Sequence, residues 1–379
     1  MQLLTAAPRQ DLTEDQVRAV LTADSLTVSA GCELLDSEDD VIADISGDLL
    51  GGSVKRECLA DVHGACTLQL TRELAWGRDR VRPYMVLQTN LPGLAVSARF
   101  NLGVFVLTTP RRLLEDNPVW EVQGYDKMHL LQVQVGDSYS VPAGTGYLAA
   151  VRVAIAAAGG GDAVLLDSAA ADKVLAAAMT WPLDAGTPTT WLRIVNDLLA
   201  AVGYRALWAD QDGFFRSDPY RPPTERPLEW RFDVDDSRTT IIVEERTLTA
   251  DTWGVPNWWR FLRRSTESTP SEGAGQYTVT NQTEGPTSVN ALGRRVPKVV
   301  WLDAADQAAL RSQGDAIVAA DRRVTATIEL RTGPFPLAGH FDIAAYADRL
   351  APDLSRMQAR SWDLSLDGAD MRWTWEVVA

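Results

Sequence analysis

A β-rich α+β chain assembled from small modules is the fold class this sequence predicts, and three observations predict it. Short apolar runs alternating with polar residues, and broken by turn clusters, fill Ser25 to Tyr125. Helical periodicity is concentrated between Tyr147 and Val202. After Leu228 strand-like runs return, accompanied by one helical stretch. With 379 residues, 46% of them hydrophobic, the chain can bury real cores and divides into about two to three domains.

Residues 1–24 read as an N-terminal arm with a helix over Leu12 to Leu21, capped by Thr13 and carrying Val17, Val20 and Leu21 on one face. Residues 25–126 hold six strand candidates: Leu26 to Cys32, Val41 to Ser46, Ala65 to Arg72, Arg82 to Gln88, Leu102 to Thr108 and Val119 to Tyr125. Asp36 to Asp40 and Gly51-Gly52 read as turns between them, and six short strands in one module predict a small antiparallel barrel.

Residues 127–225 predict an α/β domain. Thr145 precedes a helix with Tyr147, Leu148, Val151, Ile155 and Ala158 on one face, stopped by Gly159. Thr187 caps a second helix, Pro188 takes its first turn, and Trp191, Ile194, Val195, Leu198, Leu199 and Val202 form the stripe expected to pack on a sheet. Tyr204 to Trp208 and Phe214 to Arg216 flank the turn Asp210 to Gly213 as a hairpin. Proline and charge then cluster over Asp218 to Pro227 as a linker. Residues 226–379 predict a second β-rich domain with strands at Thr239 to Glu244, Gln276 to Asn281, Val324 to Arg331 and Met371 to Val377. A helix over Asp303 to Ala320, with Ala309, Leu310, Ala316, Ile317 and Ala320 on adjacent stripes, packs on them, and the polar stretch Ser265 to Gly275 reads as a mobile loop.

Composition excludes several classes. No apolar run reaches the roughly 18 residues of a membrane span, since Arg152 interrupts the longest, Leu148 to Ala158. Met1 to Asp11 lack the basic segment and apolar core of a secretory signal, so synthesis in a host cytoplasm is expected. A net charge of −15 opposes stable nucleic-acid binding, which needs a basic stripe. Only Lys55, Lys127, Lys173 and Lys298 are lysines among 36 basic residues, a bias that reflects a GC-rich genome.

Catalytic patterns are absent from the sequence. No Gly-x-Ser-x-Gly elbow, phosphate loop or His-Glu-x-x-His pair occurs, and His63, His129 and His340 supply few bases for a triad. Cys58, His63 and Cys66 match no common zinc spacing; Cys66 alternates with Leu68 and Leu70, which places it on the buried face of a strand. An odd number of cysteines argues against a disulfide framework. Gly144-Thr145-Gly146-Tyr147-Leu148-Ala149 matches a dinucleotide fingerprint only loosely and reads as a turn feeding a helix. The acidic clusters at Asp36 to Asp40 and Asp233 to Asp236 miss calcium-loop spacing and read as solvated turns. Trp253, Trp258, Trp259 and Phe261 cluster in one stretch, as a core, a subunit interface or a sugar platform would need.

The run Ala65 to Tyr84, ending Thr71-Arg72-Glu73-Leu74-Ala75-Trp76-Gly77-Arg78-Asp79-Arg80-Val81-Arg82-Pro83-Tyr84, resembles the first-barrel signature of tail-hub (baseplate-hub, minor tail) proteins of long-tailed actinobacterial bacteriophages. Phe100 to Pro110 and Val122-Gln123-Gly124-Tyr125-Asp126-Lys127 follow in the same order and are also similar to that family. Thr187 to Leu199, Gly203-Tyr204, Asp212-Gly213 and Pro219-Tyr220 resemble its second domain. Gly333-Pro334-Phe335-Pro336 and Phe341-Asp342-Ile343 resemble its last barrel, with Phe341-Asp342 standing where the family has a Gly-Asp pair.

The resemblance implies two small antiparallel β-barrels with an intervening α/β domain, assembled as a homotrimer whose six barrels form a pseudo-hexameric ring. It implies a structural virion protein at the tail tip that adapts the sixfold tail tube to a threefold spike, fibre or receptor-binding protein. Distal tail protein, tail tube and tape measure protein are the further partners it implies, with no cofactor, no catalysis and a lumen whose acidic surface keeps passing DNA from adhering. At 379 residues the chain matches a bare hub without an appended lytic domain. Arg78, Arg80 and Arg82 alternate and are candidates, with Trp258 and Trp259, for the subunit interface. The competing expectations are a carbohydrate-binding tail-tip adhesin that uses Trp258 and Trp259, and a cell-wall hydrolase that needs a carboxylate pair.

Overall fold

In the computed structural model, the alternation around Cys66 becomes a pleated strand: Gly64, Cys66, Leu68 and Leu70 are buried while Gln69 is exposed. The structure describes residues 13, 16, 20, 23, 26–91, 94–113, 119–183, 188–236, 242–250, 253–263, 271–272, 275–302, 307–321, 326–352, 354–367 and 370–378. The chain divides into two compact units, Met1–Arg246 with Glu329–Val378, and Thr247–Ile328.

The first unit opens with eight strands: β1 (Thr27–Leu35), β2 (Val41–Asp44), β3 (Leu49–Glu57), β4 (Gly64–Leu70), β5 (Arg80–Leu91), β6 (Leu94–Asn101), β7 (Phe105–Leu113) and β8 (Val119–Asp126). Then come α1 (Met128–Leu131), β9 (Tyr139–Val141), α2 (Tyr147–Ala157), β10 (Val164–Leu166), β11 (Met179–Trp181), α3 (Trp191–Ala201), β12 (Trp208–Ala209), β13 (Phe215–Ser217) and β14 (Trp230–Asp233). Strand β15 (Ile242–Ala250) leads into the second unit, which holds β16 (Trp258–Arg263), β17 (Ser271–Glu272), β18 (Gly275–Thr280), α4 (Val289–Leu292), β19 (Pro297–Leu302) and α5 (Gln307–Asp321). The chain returns along β20 (Ala326–Thr332) and ends with β21 (Ile343–Ala347), β22 (Arg356–Ser365) and β23 (Met371–Val377).

The β-rich class holds, but the pairing does not trace the closed barrel expected of residues 25–126. Among the described residues the strand order runs open, β15-β20-β23-β22-β3-β4-β8-β7-β5-β1-β2, with β6 on β5 and β21 joining β22 to β14. The reason is β3, whose second edge pairs with β22 through Arg56↔Trp362 and Val54↔Leu364. One sheet thereby joins segments some 300 residues apart in the chain.

Gly51-Gly52 is not a turn but part of β3. Its register shifts between Leu49 and Gly51, Gly52 has φ +152°, and a Cβ on Gly52 would stand 2.2 Å from the Thr67 carbonyl oxygen. Here glycine marks a bulge and a close backbone approach. Strand β6 was also absent from the candidates, although Val96, Ala98 and Phe100 bury one face; small and charged residues between them dilute the apolar signal. Cys66 pairs with Gly124 across β4 and β8, and a Cβ at Gly124 would lie 2.8 Å from the Cys66 sulfur.

At the N-terminus Thr13 and Gln16 cap each other: Gln16 N donates to Thr13 Oγ1 at 3.3 Å and Thr13 N to Gln16 Oε1 at 2.8 Å. Gln16 and Val20 are helical, and the other positions of the helix expected over 12–21 lie outside the described residues, apart from Thr13. Helix α2 starts at Gly146 without a side-chain cap, so Thr145 does not act as one; Gly159, at φ +80°, follows its end. Helix α3 is capped by Thr190, whose hydroxyl accepts from Arg193 N. The expected cap Thr187 lies outside the described residues. The two helices pack together, sharing a core with Val164, Ala209 and Phe215 of the short sheet β10-β13-β12.

The second unit is a four-stranded sheet, β17-β18-β16-β19, with α5 packed on it. Trp259, Phe261, Leu310 and Val318 form its core, and Gly314 lets the helix approach β16, since a Cβ there would meet the Phe261 ring at 2.8 Å. Of the stretch 265–275, Ser271–Glu272 and Gly275 are strand and the rest lies outside the described residues, as do 239–241, 303–306 and 324–325 of the expected elements. The end of the chain closes an aromatic core in the first unit, where Phe335 packs against Trp230 at 4.9 Å between centroids and Phe232 against Trp375 at 5.3 Å.

Gly52→Ala is expected to lower the urea midpoint of the first unit by the equivalent of about 2 kcal/mol or more, because it adds a clash to a disfavoured backbone conformation. Gly47→Ala, where a Cβ meets nothing within 4 Å, should leave the midpoint within about 0.5 kcal/mol of the parent.

Candidate functional site

Strand β3 alternates, so Arg56 shares the buried face with Val54. Only 4% of Arg56 is exposed; its Nη2 donates to the Ala209 carbonyl at 2.9 Å, while Nε and Nη1 are buried without a partner. The turn after β3 brings His63 (7% exposed) beside it. The His63 ring meets His340 edge to face, with centroids 4.3 Å apart, and His340 stacks on Trp208 at 5.4 Å. Burial, reinforced by the Arg56 charge, pushes the His63 imidazole down to about 3. Burial, then His63 and Arg56, hold His340 well below the ordinary imidazole range. Both rings are therefore neutral. At the end of β8 Asp126 accepts from Gly64 N at 2.6 Å and Met128 N at 3.0 Å, yet burial pushes its carboxyl up to about 6.

A second cluster adjoins these residues. Arg226 donates to the Phe341 carbonyl at 2.7 Å and to Glu229 Oε1 at 3.1 Å. Glu229 Oε2 accepts from Ile343 N at 2.5 Å. Asp342 Oδ2 accepts from Trp230 Nε1 and Gly339 N, both at 2.6 Å. Burial and the neighbouring Asp342 push Glu229 up to about 7, and burial raises Asp342. The stretch Asp218 to Pro227 is pinned from both sides: Arg205 holds Asp218 at 2.5 and 2.6 Å, and Arg356 donates to the carbonyls of Pro223, at 2.9 Å, and Arg226. Two cavities, of about 430 and 340 Å³, share Arg205, Arg226 and His340 in their walls.

The arginines singled out in sequence find carboxylates within the chain. Arg80 donates to Asp39 Oδ1 at 2.6 Å and to the Gly159 carbonyl at 3.2 Å. Arg82 and Arg99 meet Glu33 at 2.7 and 2.6 Å. Arg78 has a 78% exposed side chain beside Asp79. Trp259 is fully buried and its Nε1 donates to Asp321 at 2.8 Å, so it presents no face to a sugar; Trp258 is half-buried under Arg260 at 4.8 Å. Trp253, by contrast, is 74% exposed, with Arg294 at 4.0 Å over its ring.

Other motifs resolve into local structure. The amides around Gly144 to Tyr147 are engaged: Gly144 N donates to Leu175 O at 2.8 Å and Tyr147 N to Lys173 O at 3.1 Å, which leaves no nest for a pyrophosphate. Cys66 is packed in the sheet while Cys58 and His63 line a cavity. No cluster of three or more His, Cys, Asp or Glu able to hold a metal occurs among the described residues. Burial pushes the Cys58 thiol up to about 12. No helix is long and apolar enough to cross a membrane among the described residues.

Sequence reasoning missed Asp39. Its acidic neighbourhood reads as a solvated turn, and Asp36 does accept from Glu38 N and Asp40 N at 2.9 Å. Asp39, however, turns inward at φ +71° and binds Lys127 at 2.5 Å as well as Arg80. Lys127 is wholly buried. A lone lysine next to the strand end at Asp126, in a chain that otherwise uses arginine, was the available signal.

Asp39→Ala strands two buried cations and should cost about 3–5 kcal/mol in urea unfolding, whereas Arg78→Ala should stay within about 0.5 kcal/mol. The titrating groups predict a stability optimum. Glu229 binds its proton more tightly folded than unfolded, so its contribution is full below the ordinary value of 4.5 and is lost as pH rises through about 7. His63 acts oppositely: its contribution is full above 6.5 and is lost as pH falls toward 3. For these two groups the opposing slopes cancel between pH 4.5 and 6.5, so thermal midpoints should fall below about pH 4.5 and above about pH 6.5, and Glu229→Gln should flatten the alkaline limb, where one such group supplies at most about 1.4 kcal/mol per pH unit. An unchanged alkaline limb would remove Glu229 from this account.

No protein-family model and no curated protein sequence matches the chain. Solved structures do. A tail protein from Neisseria meningitidis MC58 aligns over 92% of this chain and 96% of its own length, with TM-score 0.58 and 15% identity. The 43 kDa tail protein of prophage MuSo2 from Shewanella oneidensis aligns over 92% and 98%, with TM-score 0.57 and 13% identity. A Francisella PdpA-VgrG complex aligns over 93% of this chain at TM-score 0.58 and 7% identity, this chain spanning 58% of that one. The β-rich fold described above is thus, nearly end to end, similar to the fold of these two tail proteins.

Proposed function

We propose that the chain is a structural subunit of a bacteriophage tail, forming a homotrimeric hub at the tail tip that adapts the sixfold tail tube to a threefold spike or fibre and frames the DNA exit channel. The observation that carries this reading is the likeness of fold over 92% of the chain to two tail proteins that are themselves covered to 96% and 98%. The ordered motifs from Ala65 to Lys127 support the same reading and extend it to hubs of actinobacterial phages, with paired barrels as the ring-forming modules.

The physical character of the chain suits such a role. A hub works by shape, and the buried pairs of Arg226, Glu229, Asp39 and Lys127 hold its segments in one arrangement. Strand β2 ends the sheet with Val41 and Ile42 more than half exposed, a liability that closed assembly removes. Arg78, Arg82 and Trp258 are the sequence-derived interface candidates that keep exposed surface. Distal tail protein, tail tube, tape measure protein and a spike or receptor-binding protein are the partners of this reading; catalysis and cofactors have no part in it. The charge of −15 keeps the lumen from retaining DNA.

Light scattering on the purified chain should give a mass of three copies, and antibody against it should label particles from the source culture at the tail tip. A monomer at all concentrations, together with particles that carry no label, would sink the hub; glycan binding lost on Trp253→Ala would then favour the adhesin.

A further inference from the structure

The cavity of about 430 Å³ in the first unit holds donors that the fold does not use. Arg205 spends Nε and Nη2 on Asp218, at 2.5 and 2.6 Å, while its Nη1 is buried without a partner. The Nδ1 atoms of His63 and His340, on rings 4.3 Å apart, are likewise buried and unpartnered. All three residues line this cavity. Native structures leave few buried polar atoms unsatisfied, and each such atom calls for an explanation.

Three arginines, Arg205, Arg221 and Arg226, stand in the walls against Asp61 and Glu376, and of the three Arg205 and Arg226 are already matched by Asp218 and Glu229. Of the acids there, Glu376 is held by Arg360 at 3.2 Å, leaving Asp61 on the exposed side. The lining also includes the apolar residues Leu59, Leu207, Pro223 and Phe341. We infer that this cavity binds a carboxylate carried on a small apolar body, the carboxylate taking the free Arg205 N–H and an imidazole N–H while the body lies against the apolar residues. The unpartnered Arg205 Nη1 and the guanidinium of Arg221 disfavour a cation, and a fully hydrated phosphate would desolvate against the apolar residues without enough free donors to replace its water. The volume falls within the range of about 300–1,000 Å³ typical of small-ligand sites. The inference is independent of the tail reading, since it rests on the cavity alone.

Calorimetric titration of the full chain with N-acetylleucine, N-acetylleucinamide and inorganic phosphate, each to about 10 mM, tests it, because an affinity of about 1 mM or better registers there. N-acetylleucine should bind one to one and raise the thermal midpoint, the amide and phosphate should bind at least tenfold more weakly, and Arg205→Lys should lose at least tenfold in affinity. The ligand comparison on the unsubstituted chain stands even where Arg205→Lys fails to fold. Absence of binding by N-acetylleucine, equal binding by the amide, equal binding by phosphate, or full affinity in folded Arg205→Lys each overturns the assignment.

Discussion

A guanidinium taken out of water must be compensated by what surrounds it, and Arg56 imposes that requirement on the first unit. Its partners come from remote parts of the chain: the Ala209 carbonyl from hairpin β12–β13, at 2.9 Å, and the electrostatic field of Asp126 at the end of β8 and of Asp342 before β21. None of these groups is local to β3. The arginine is stable only when the early strands, the helical segment and the last strands are assembled together, since removal of any of them leaves a buried charge uncompensated. The β3–β22 pairing places the same requirement on the backbone. Burial of Arg56 and continuity of the sheet are thus two consequences of one long-range closure.

The same closure explains the perturbed groups. Burial first, and then neighbouring positive charge, hold the imidazoles of His63 and His340 below their ordinary range, and burial raises the carboxyls of Glu229 and Asp342, which share a dry site beside Arg226. Perturbed titration of this kind often marks catalysis. Here Glu229 Oε1 and Oε2 accept from Arg226 and Ile343 N, and Asp342 Oδ2 accepts from Gly339 N and Trp230 Nε1. These bonds tie Arg226, Glu229 and Trp230 to the turn before β21. The free donors lie elsewhere, on Arg205 and the histidine pair.

What was legible in the sequence follows from the range of the interactions involved. Local periodicity announced β4, β8 and the two helices α2 and α3, because their buried faces recur at spacings of two or of three to four. The stops at Gly159 and Gly203 were legible for the same reason, each glycine taking a positive φ directly after its helix. Strand β3 was not, because Gly51-Gly52 carries the signature of a turn and only the approach of the Thr67 carbonyl shows why the chain needs glycine in mid-strand. Nor were the long-range polar contacts: the Asp39–Lys127 ion pair spans 88 positions and the bond from Arg226 to the Phe341 carbonyl spans 115. No spacing rule connects such residues. Arg80 and Arg82, singled out in sequence as candidates for pairing with a neighbouring chain, meet Asp39 and Glu33 of their own chain.

Phe341 shows how a departure from the expected pattern is accommodated. Where the resembling family has glycine before the aspartate, this chain has phenylalanine at φ +57°, a conformation that disfavours an L-residue by about 1–2 kcal/mol. The backbone on either side leaves it no alternative. Phe341 N donates to the Cys58 sulfur at 3.4 Å, its carbonyl accepts from Arg226 at 2.7 Å, and the next carboxylate is anchored by Trp230 and Gly339. These contacts over-determine the turn, so the strain persists. In return the phenyl ring packs on His340, with centroids 4.6 Å apart, and closes one wall of the cavity that a glycine would have left open. A residue that contradicts local preference thus joins Leu59, Leu207 and Pro223 in the apolar lining of the cavity.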